Sequence, residues 1–278
     1  MGELPFHKME ACGNDFVVVY AAALPRPLTP DDAIRLCDRH FGVGADGVLV
    51  VGVGDDVEPA DLRGTAALSM VVWNADGSIS EMCGNGLRCV VRRALEDARW
   101  SGDGGVMGSG AGAVPFSVGP ASVRTTLAVP RFGGALTVEA AGLAIRGHVV
   151  SMGNPHFVVF DDEQPTPLPD LQQWAPTVET LPAFPHRTNV EHVRHEGDDF
   201  VVRVWERGVG ETLACGSGAC AVVAAAMRTG RTAAGTSGVL LPGGRLSVSW
   251  DGPGHPVDLE GPARTTYSGR VRLDEEQS

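Results

Sequence analysis

Apolar runs too short to cross a membrane alternate along the chain with stretches of helical spacing. FVVVY at 16–20, VLVVGV at 48–53 and ALSMVVWN at 67–74 are rich in β-branched and aromatic residues and predict strands. Thr29-Pro30-Asp31-Asp32 supplies a cap, a proline at the first helical position and acids in the first turn, so a helix begins there. Asp76-Gly77 marks a tight turn, and after Gly84 the residues Leu87, Val90, Val91, Ala94 and Leu95 share one helical face. Residues 101–121 are dominated by Gly, Ser and Ala and read as a loop. Strands resume at VRTTLAV, HVVSM and HFVVF, the proline-rich stretch 164–185 is irregular with a short helix, and DFVVRVWE at 199–206 alternates as a strand does. Ala219 to Met227 is apolar all round, which predicts a helix buried on every side, and LLPGGRLSVSW at 240–250 reads as a hairpin.

Two long-range matches organise this pattern. VVWN and CGNG at 71–86 match VRVWE and CGSG at 202–218, with ten residues from Trp73 to Cys83 and ten from Trp205 to Cys215. Gly13-Asn14-Asp15-Phe16 matches Gly153-Asn154-Pro155-His156-Phe157 in the same order along the chain. Similar offsets in the same order imply two similar halves, each with a Cys-Gly-polar-Gly segment opening a helix. Two pseudo-symmetric domains are therefore expected, of mixed α/β (α+β) type. Each is a mainly antiparallel curved sheet or barrel around a central helix, with the active site in the cleft between them. The boundaries are set at 1–140 with 265–278 for the half holding Cys83, and 141–264 for the half holding Cys215.

Composition narrows the function. The 278 residues are 43% hydrophobic and 20% charged, as in ordinary globular proteins, and the net charge is −12. That balance argues against nucleic acid or an anionic membrane as partner, and leaves a small anionic substrate open. No signal peptide or membrane span is visible, so a cytoplasmic location is expected, with the six cysteines mostly reduced. Metal is not expected: Cys83/Cys89 and Cys215/Cys220 lack zinc-ligand spacing and paired histidines. Lys8 is the only lysine and lies outside any phosphate-binding motif, which argues against a pyridoxal Schiff base. No cofactor is expected.

The chemistry then falls to the cysteines. Helix N-termini bind anions through unpaired N–H groups, and Gly84, Asn85 and Gly86 in one half, with Gly216, Ser217 and Gly218 in the other, let a carboxylate approach the backbone. The same field favours thiolate. A carboxylate held between opposed thiols suits proton abstraction at its α-carbon by one and return by the other, inverting that carbon. Cys12, Cys37, Cys89 and Cys220 read as buried filler, His156 as a residue that orders its loop, and Trp73 and Trp205 as core or pocket walls.

KMEACGNDF, DRHFGVGADG, WNADGSISEMCGNG, VSMGNPH, TNVE, ERGVGETLACGSGAC and LPGGRL, in this order, resemble the signature blocks of the diaminopimelate epimerase family. The resemblance implies cofactor-independent epimerisation of L,L-diaminopimelate to the meso form in lysine and peptidoglycan precursor synthesis. It implies Cys83 and Cys215 as the catalytic bases, with Asn14, Asn74, Asn154, Asn189, Glu206 and Arg207 binding substrate. The backbones of Gly84, Asn85, Gly216 and Ser217 would hold the reacting carboxylate, and Asn74, Asn154, Asn189 and Arg207 would surround the distal end. A homodimer is a further expectation. The chain departs from the family at Ala11, where glycine is usual, at Glu10 and Gly47, and through 101–148, where the glycine-rich loop is longer than usual.

Three alternatives stand beside this reading. One is racemisation of another α-amino acid. The second is an isomerase on the same scaffold that uses a carboxylate base. The third is a non-catalytic amino-acid binder or a thiol redox protein.

Overall fold

The computed structural model describes residues 3–273. In chain order the elements are β1 (Glu3–Ala11), β2 (Asn14–Tyr20), α1 (Pro30–Cys37), β3 (Gly47–Val53), β4 (Leu68–Asn74), β5 (Ile79–Ser80), α2 (Gly84–Glu96), β6 (Gly104–Ser109), β7 (Gly112–Val118), β8 (Val123–Thr126), β9 (Arg131–Ala140), β10 (Leu143–Ser151), β11 (Pro155–Phe160), α3 (Ala175–Glu179), β12 (Asn189–Glu196), β13 (Asp199–Glu206), β14 (Gly210–Thr212), α4 (Gly216–Arg228), β15 (Gly235–Leu241), β16 (Gly244–Trp250), β17 (Val257–Gly261) and β18 (Arg264–Arg272). Two compact units result. One comprises the residues up to Thr125 together with those from Gly261 onward, and the other is Thr126–Glu260. The crossing at 125/126 puts β9 in the second unit, whereas the sequence boundary at 140 put it in the first. The tail at 274–278, assigned by sequence to the first half, lies outside the described residues.

Within the first unit the strands pair in the order β18-β1-β2-β3-β4-β6-β7-β8, with β5 folded back on β4. Within the second the order is β9-β10-β11-β12-β13-β15-β16-β17, with β14 folded back on β13. Parallel pairs fall at the same places in both, β2/β3 and β4/β6 against β11/β12 and β13/β15, and every other pair is antiparallel. The repeat read from two short motifs therefore extends through each unit's whole topology. Each unit is a mainly antiparallel mixed sheet with one long helix lying on it. In the first unit α2 packs on β1, β2, β3, β4 and β18; in the second α4 packs on β10, β11, β12, β13 and β16.

The helices differ in how they are buried. α2 turns Leu87, Cys89, Val90, Val91 and Ala94 onto a cluster that includes Phe16, Leu49, Met70 and Phe116. α4 is buried at every position from Gly218 to Ala226, as its uniformly apolar sequence predicts. α1 opens with a reciprocal capping box, in which the Thr29 hydroxyl accepts from the Asp32 N–H and the Asp32 carboxylate accepts from the Thr29 N–H. The stretch 101–121 is not a loop. It contains the antiparallel hairpin β6–β7. Gly105 is there for close approach, since a Cβ on it would lie 3.2 Å from the Phe116 ring.

Phe157 of β11 is fully buried, stacks obliquely on Phe184 and fills the space left by the missing Cβ of Gly147. Phe157→Ala should therefore cost the protein about 3–5 kcal/mol, read as a lowered midpoint in urea unfolding. An unchanged midpoint would show that this ring is not part of the second unit's core.

Candidate active site: one cysteine at the helix start of each unit

In the first unit β1 and β2 are joined by a two-residue turn, Cys12 and Gly13, both at positive φ (53° and 81°). The turn fits the primed type that suits strand twist. Glu10 accepts from the Gly13 N–H at 3.0 Å and pairs with Arg264 at 2.9 Å. Glu10, one of the family departures, thus braces the turn that presents Asn14. Ala11 is fully buried beside it.

Cys83 is the N-cap of α2, and its Sγ accepts from the Gly86 N–H at 3.4 Å. Asn14 Oδ1 lies 4.0 Å from that sulfur and accepts from Asn85 Nδ2 at 3.2 Å. The direction of this amide chain is set by charge at both ends. Arg88, wholly buried, donates to Asn85 Oδ1 at 2.7 Å, and Asn14 Nδ2 donates to the Asp46 carboxylate at 2.8 Å. Arg88 can only donate and ionised Asp46 can only accept, so neither amide can turn over without losing a bond.

Behind Asn14 lies a charge cluster. Arg39 bridges Asp15 and Asp46, and Lys8 pairs with Asp15 and donates to the Gly44 carbonyl. The only lysine of the chain is thus buried and committed to structure. Asn74, at the end of β4, donates to Ser78 Oγ at 2.9 Å within its turn. Gly47, paired with Asn74 across β3/β4, has no room for a side chain: a Cβ would sit 2.6 Å from the Trp73 carbonyl oxygen.

The second unit repeats the arrangement with different charges. Cys215 is the N-cap of α4, and its Sγ accepts from the Gly218 N–H at 3.4 Å and lies 3.5 Å from Ser217 Oγ. Asn154 Nδ2 donates to Ser217 Oγ at 3.2 Å. His156 Nε2 is 3.0 Å from Asn154 Oδ1, and its Nδ1 is 2.7 Å from Glu191 Oε1. His156 and Glu191 are both fully buried, so the histidine does more than order a loop: it belongs to β11 and joins that strand to β12. Glu206 accepts from the Thr212 hydroxyl at 2.6 Å. Asn189 ties this end of the sheet together, donating to the Pro155 carbonyl and accepting from the Arg207 N–H, each at 2.9 Å. The Arg207 guanidinium bonds the His186 carbonyl at 3.2 Å.

The structure brings Asn14, Asn85 and Cys83 into one group, and Asn154, Ser217, Cys215 and Glu206 into another. Gly84 and Gly216 open the two helices, where the first N–H groups have no acceptor within the helix. Asn189 and Arg207 form a third cluster in the second unit. Sequence reading missed Glu191 and Asp46, each a carboxylate that holds a neighbour in place; they are spaced like ordinary strand-end acids. Among the described residues no cluster of His, Cys, Asp and Glu could hold a metal.

The expected lowering of the thiol pKa fails at Cys215. Burial pushes its thiol well above the usual range, the carboxylates of Glu206 and Glu191 push the same way, and the bonds from Ser217 and Gly218 oppose them without prevailing. Burial likewise raises Glu206, against the Thr212 hydrogen bond.

Each unit, with a cysteine at the start of a central helix on a curved mixed sheet, belongs to a fold that is seen in other solved structures. A Bacillus anthracis protein of the PhzF phenazine-biosynthesis family matches 98% of this chain and 100% of its own with a TM-score of 0.73 at 15% identity. A hydroxyproline epimerase from Agrobacterium vitis matches 99% of this chain and 94% of its own with a TM-score of 0.66 at 15% identity. At sequence level the diaminopimelate epimerase model matches residues 6–115 and 148–266. A diaminopimelate epimerase of Synechococcus sp. (strain JA-3-3Ab) is 41% identical, covering 96% of this chain and 97% of its own. One from Synechocystis sp. is 37% identical, covering 97% and 99%. The chain belongs to the diaminopimelate epimerase family.

Asp15 offers a test of the cluster behind Asn14. Burial opposes its ionisation, but hydrogen bonds from Arg39 and Lys8 win and hold its carboxyl at about 2. A carboxyl depressed in the folded state stabilises the fold above its unfolded value, near 3.8, and loses that contribution as pH falls through about 2. Asp15→Asn should therefore lower the urea midpoint at pH 7, with the gap to wild type closing between about pH 4 and about pH 2. A gap that stays constant over that range would mean that Asp15 acts through something other than its charge.

Proposed function

We propose that this chain epimerises L,L-diaminopimelate to meso-diaminopimelate without a cofactor, by a two-base exchange between Cys83 and Cys215. One observation carries the reading: each unit independently starts its central helix with a cysteine whose sulfur caps the first turn, followed by small residues. The two-base scheme requires that one substrate reach both cysteines. The reacting carboxylate lies against the N–H groups of Gly84, Asn85, Gly216 and Ser217. Charge that builds on it as the α-proton leaves is stabilised by those N–H groups and by the helix dipoles.

Cys83, half-buried, takes the α-proton as thiolate in one direction. Cys215 is a thiol in the free protein because burial and two carboxylates oppose its ionisation, and a thiol is the form that returns a proton. The carbanion takes that proton on the opposite face, Cys215 is left as thiolate and Cys83 as thiol, and the reverse reaction exchanges the roles. Asn14, Asn74, Asn154, Asn189, Glu206 and Arg207 are assigned to substrate, with the Arg207 fork suited to the distal carboxylate. A role in lysine and peptidoglycan precursor synthesis, a cytoplasmic setting and a homodimer belong to the same reading. Two findings support it: the family match over both halves of the chain, and relatives named diaminopimelate epimerase at 37–41% identity.

Incubation with L,L-diaminopimelate in deuterated water should give the meso isomer with deuterium at the inverted α-carbon. Cys83→Ser and Cys215→Ser should each lower turnover by about 10²–10⁴-fold. Absence of both inversion and α-deuteration in the wild-type protein would overturn the substrate. Full turnover by either serine variant would overturn the thiol exchange.

A further inference from the structure

The turns that follow β4 and β13 match, but they are braced differently. Trp73-Asn74-Ala75 in the first unit corresponds to Trp205-Glu206-Arg207 in the second. Both turns close by the same bond, from the Gly77 N–H to the Asn74 carbonyl and from the Val209 N–H to the Glu206 carbonyl, each at 3.0 Å. In the first unit the brace is local. Asp76 accepts from the Ser78 N–H at 2.9 Å and from its hydroxyl at 2.6 Å, and Gly77 lies so close to α1 that a Cβ would sit 2.9 Å from the Pro30 carbonyl oxygen. In the second unit the brace comes from a side chain of α3, which lies in the same crossover between parallel strands as α1.

That side chain is Glu179, the last residue of α3, which is buried and uses both carboxylate oxygens. Oε2 accepts from the Trp205 indole N–H at 2.8 Å. Oε1 accepts from the Gly208 N–H at 2.8 Å and from the Arg187 guanidinium at 3.3 Å. Trp205 and Gly208 bracket Glu206 and Arg207, and the N–H of Arg207 itself is taken by Asn189. All of these partners of Glu179 are donors, so an amide could not replace the carboxylate without turning an NH2 group toward one of them.

A buried carboxylate is weak evidence for stability, so its presence here calls for another reason. The turn it holds has little apolar anchorage: Gly208 stands at a φ of 77° and Val209 is exposed. Arg187, its other partner, is held in the left-handed region at a φ of 58°, a strained conformation of the kind that clusters at ligand sites. The Arg207 guanidinium is exposed, bonds the His186 carbonyl, and pairs with no carboxylate among the described residues. The first unit, whose turn carries Ala75 at that place, has no such brace. Ordering a long side chain on binding is costly, and a backbone fixed on both sides of it lowers that cost.

We propose that Glu179 is a positioning residue for Arg207 and, through it, for the distal carboxylate of the substrate. By holding the indole before Glu206 and the N–H after Arg207, it keeps the guanidinium fork in one place for that carboxylate. The inference rests on the epimerase reading, in which Arg207 takes the distal end. That end does not change during inversion, so its contacts are equal in the ground state and the transition state. Loss of the brace therefore weakens binding and leaves the chemical step alone.

Steady-state epimerisation of L,L-diaminopimelate separates these effects. Glu179→Gln, checked for folding by its urea midpoint, should raise KM about tenfold, the worth of one hydrogen bond to a charged group, and keep kcat within about twofold. Arg207→Ala should raise KM as well. Adding Glu179→Gln to Arg207→Ala should raise it no further, because the two residues act in series. If Glu179→Gln does not fold, Trp205→Phe makes the same test in both backgrounds, since it keeps a ring and removes one donor from the carboxylate. It should raise KM about threefold at unchanged kcat.

A residue that merely stabilised the fold would lower kcat through loss of active protein, or would add its effect on KM to that of Arg207→Ala. Either result, or an unchanged KM, overturns the proposal. Wild-type protein that leaves L,L-diaminopimelate unaltered overturns the functional reading and this inference together; normal wild-type turnover with any of those results overturns this inference alone.

Discussion

Everything at the candidate site depends on a weak cap. A helix start needs an acceptor for its third N–H, and serine, threonine, asparagine or aspartate usually supplies it. Here sulfur does so in both units, at 3.4 Å from Gly86 N and from Gly218 N. A poorer acceptor at this position is a local cost that chemistry can justify, because it fixes the sulfur at the positive end of the helix. The remaining structure serves that placement. A curved sheet receives the helix, the following glycines keep the first turn bare, and asparagines at the strand ends reach back to the helix start.

The units spend their charges differently on this common plan. In the first, Arg88 and Asp46 pin a chain of amides in one direction, and the cysteine is half-buried. In the second, the carboxylates Glu206 and Glu191 face a buried cysteine and hold it protonated. The helix dipole is the same in both, which shows why it cannot alone decide the state of a thiol. Its influence is confined to about one turn and is modest beside desolvation and two nearby negative charges. The surroundings are therefore unequal: Cys83 is half-buried, while burial and two carboxylates keep a proton on Cys215.

Much of this was legible in the chain. The repeated Cys-Gly-polar-Gly segments located both caps, and the uniformly apolar run at 219–227 announced the buried helix. What stayed hidden has physical reasons. The β6–β7 hairpin is written largely in glycine because Phe116 lies against Gly104 and Gly105, so packing removed the side chains that would have signalled strands. β18 and β9 lie at sheet ends with most residues exposed or half-buried, so they carry little apolar alternation. His156 follows Asn-Pro and reads as a loop residue, yet it is fully buried; only its pairing with Glu191, thirty-five residues away, reveals why a polar ring is tolerated there.

The comparison between the units also explains why local reading finds the catalytic candidates more readily than their supports. A cysteine at a helix start is specified by its immediate neighbours, which duplicate with the motif. A support is specified by whatever the sheet brings beneath it. Leu49 and Glu191 occupy equivalent places on β3 and β12, and nothing in their own strands distinguishes apolar filler from an anchored carboxylate. The distinction comes from the neighbouring strand, where Phe16 can only fill space and His156 can pass a hydrogen bond on to Asn154. The repeated fold keeps each sulfur at the same place on its helix, while the layer beneath differs: apolar in the first unit, a hydrogen-bonded polar pair in the second.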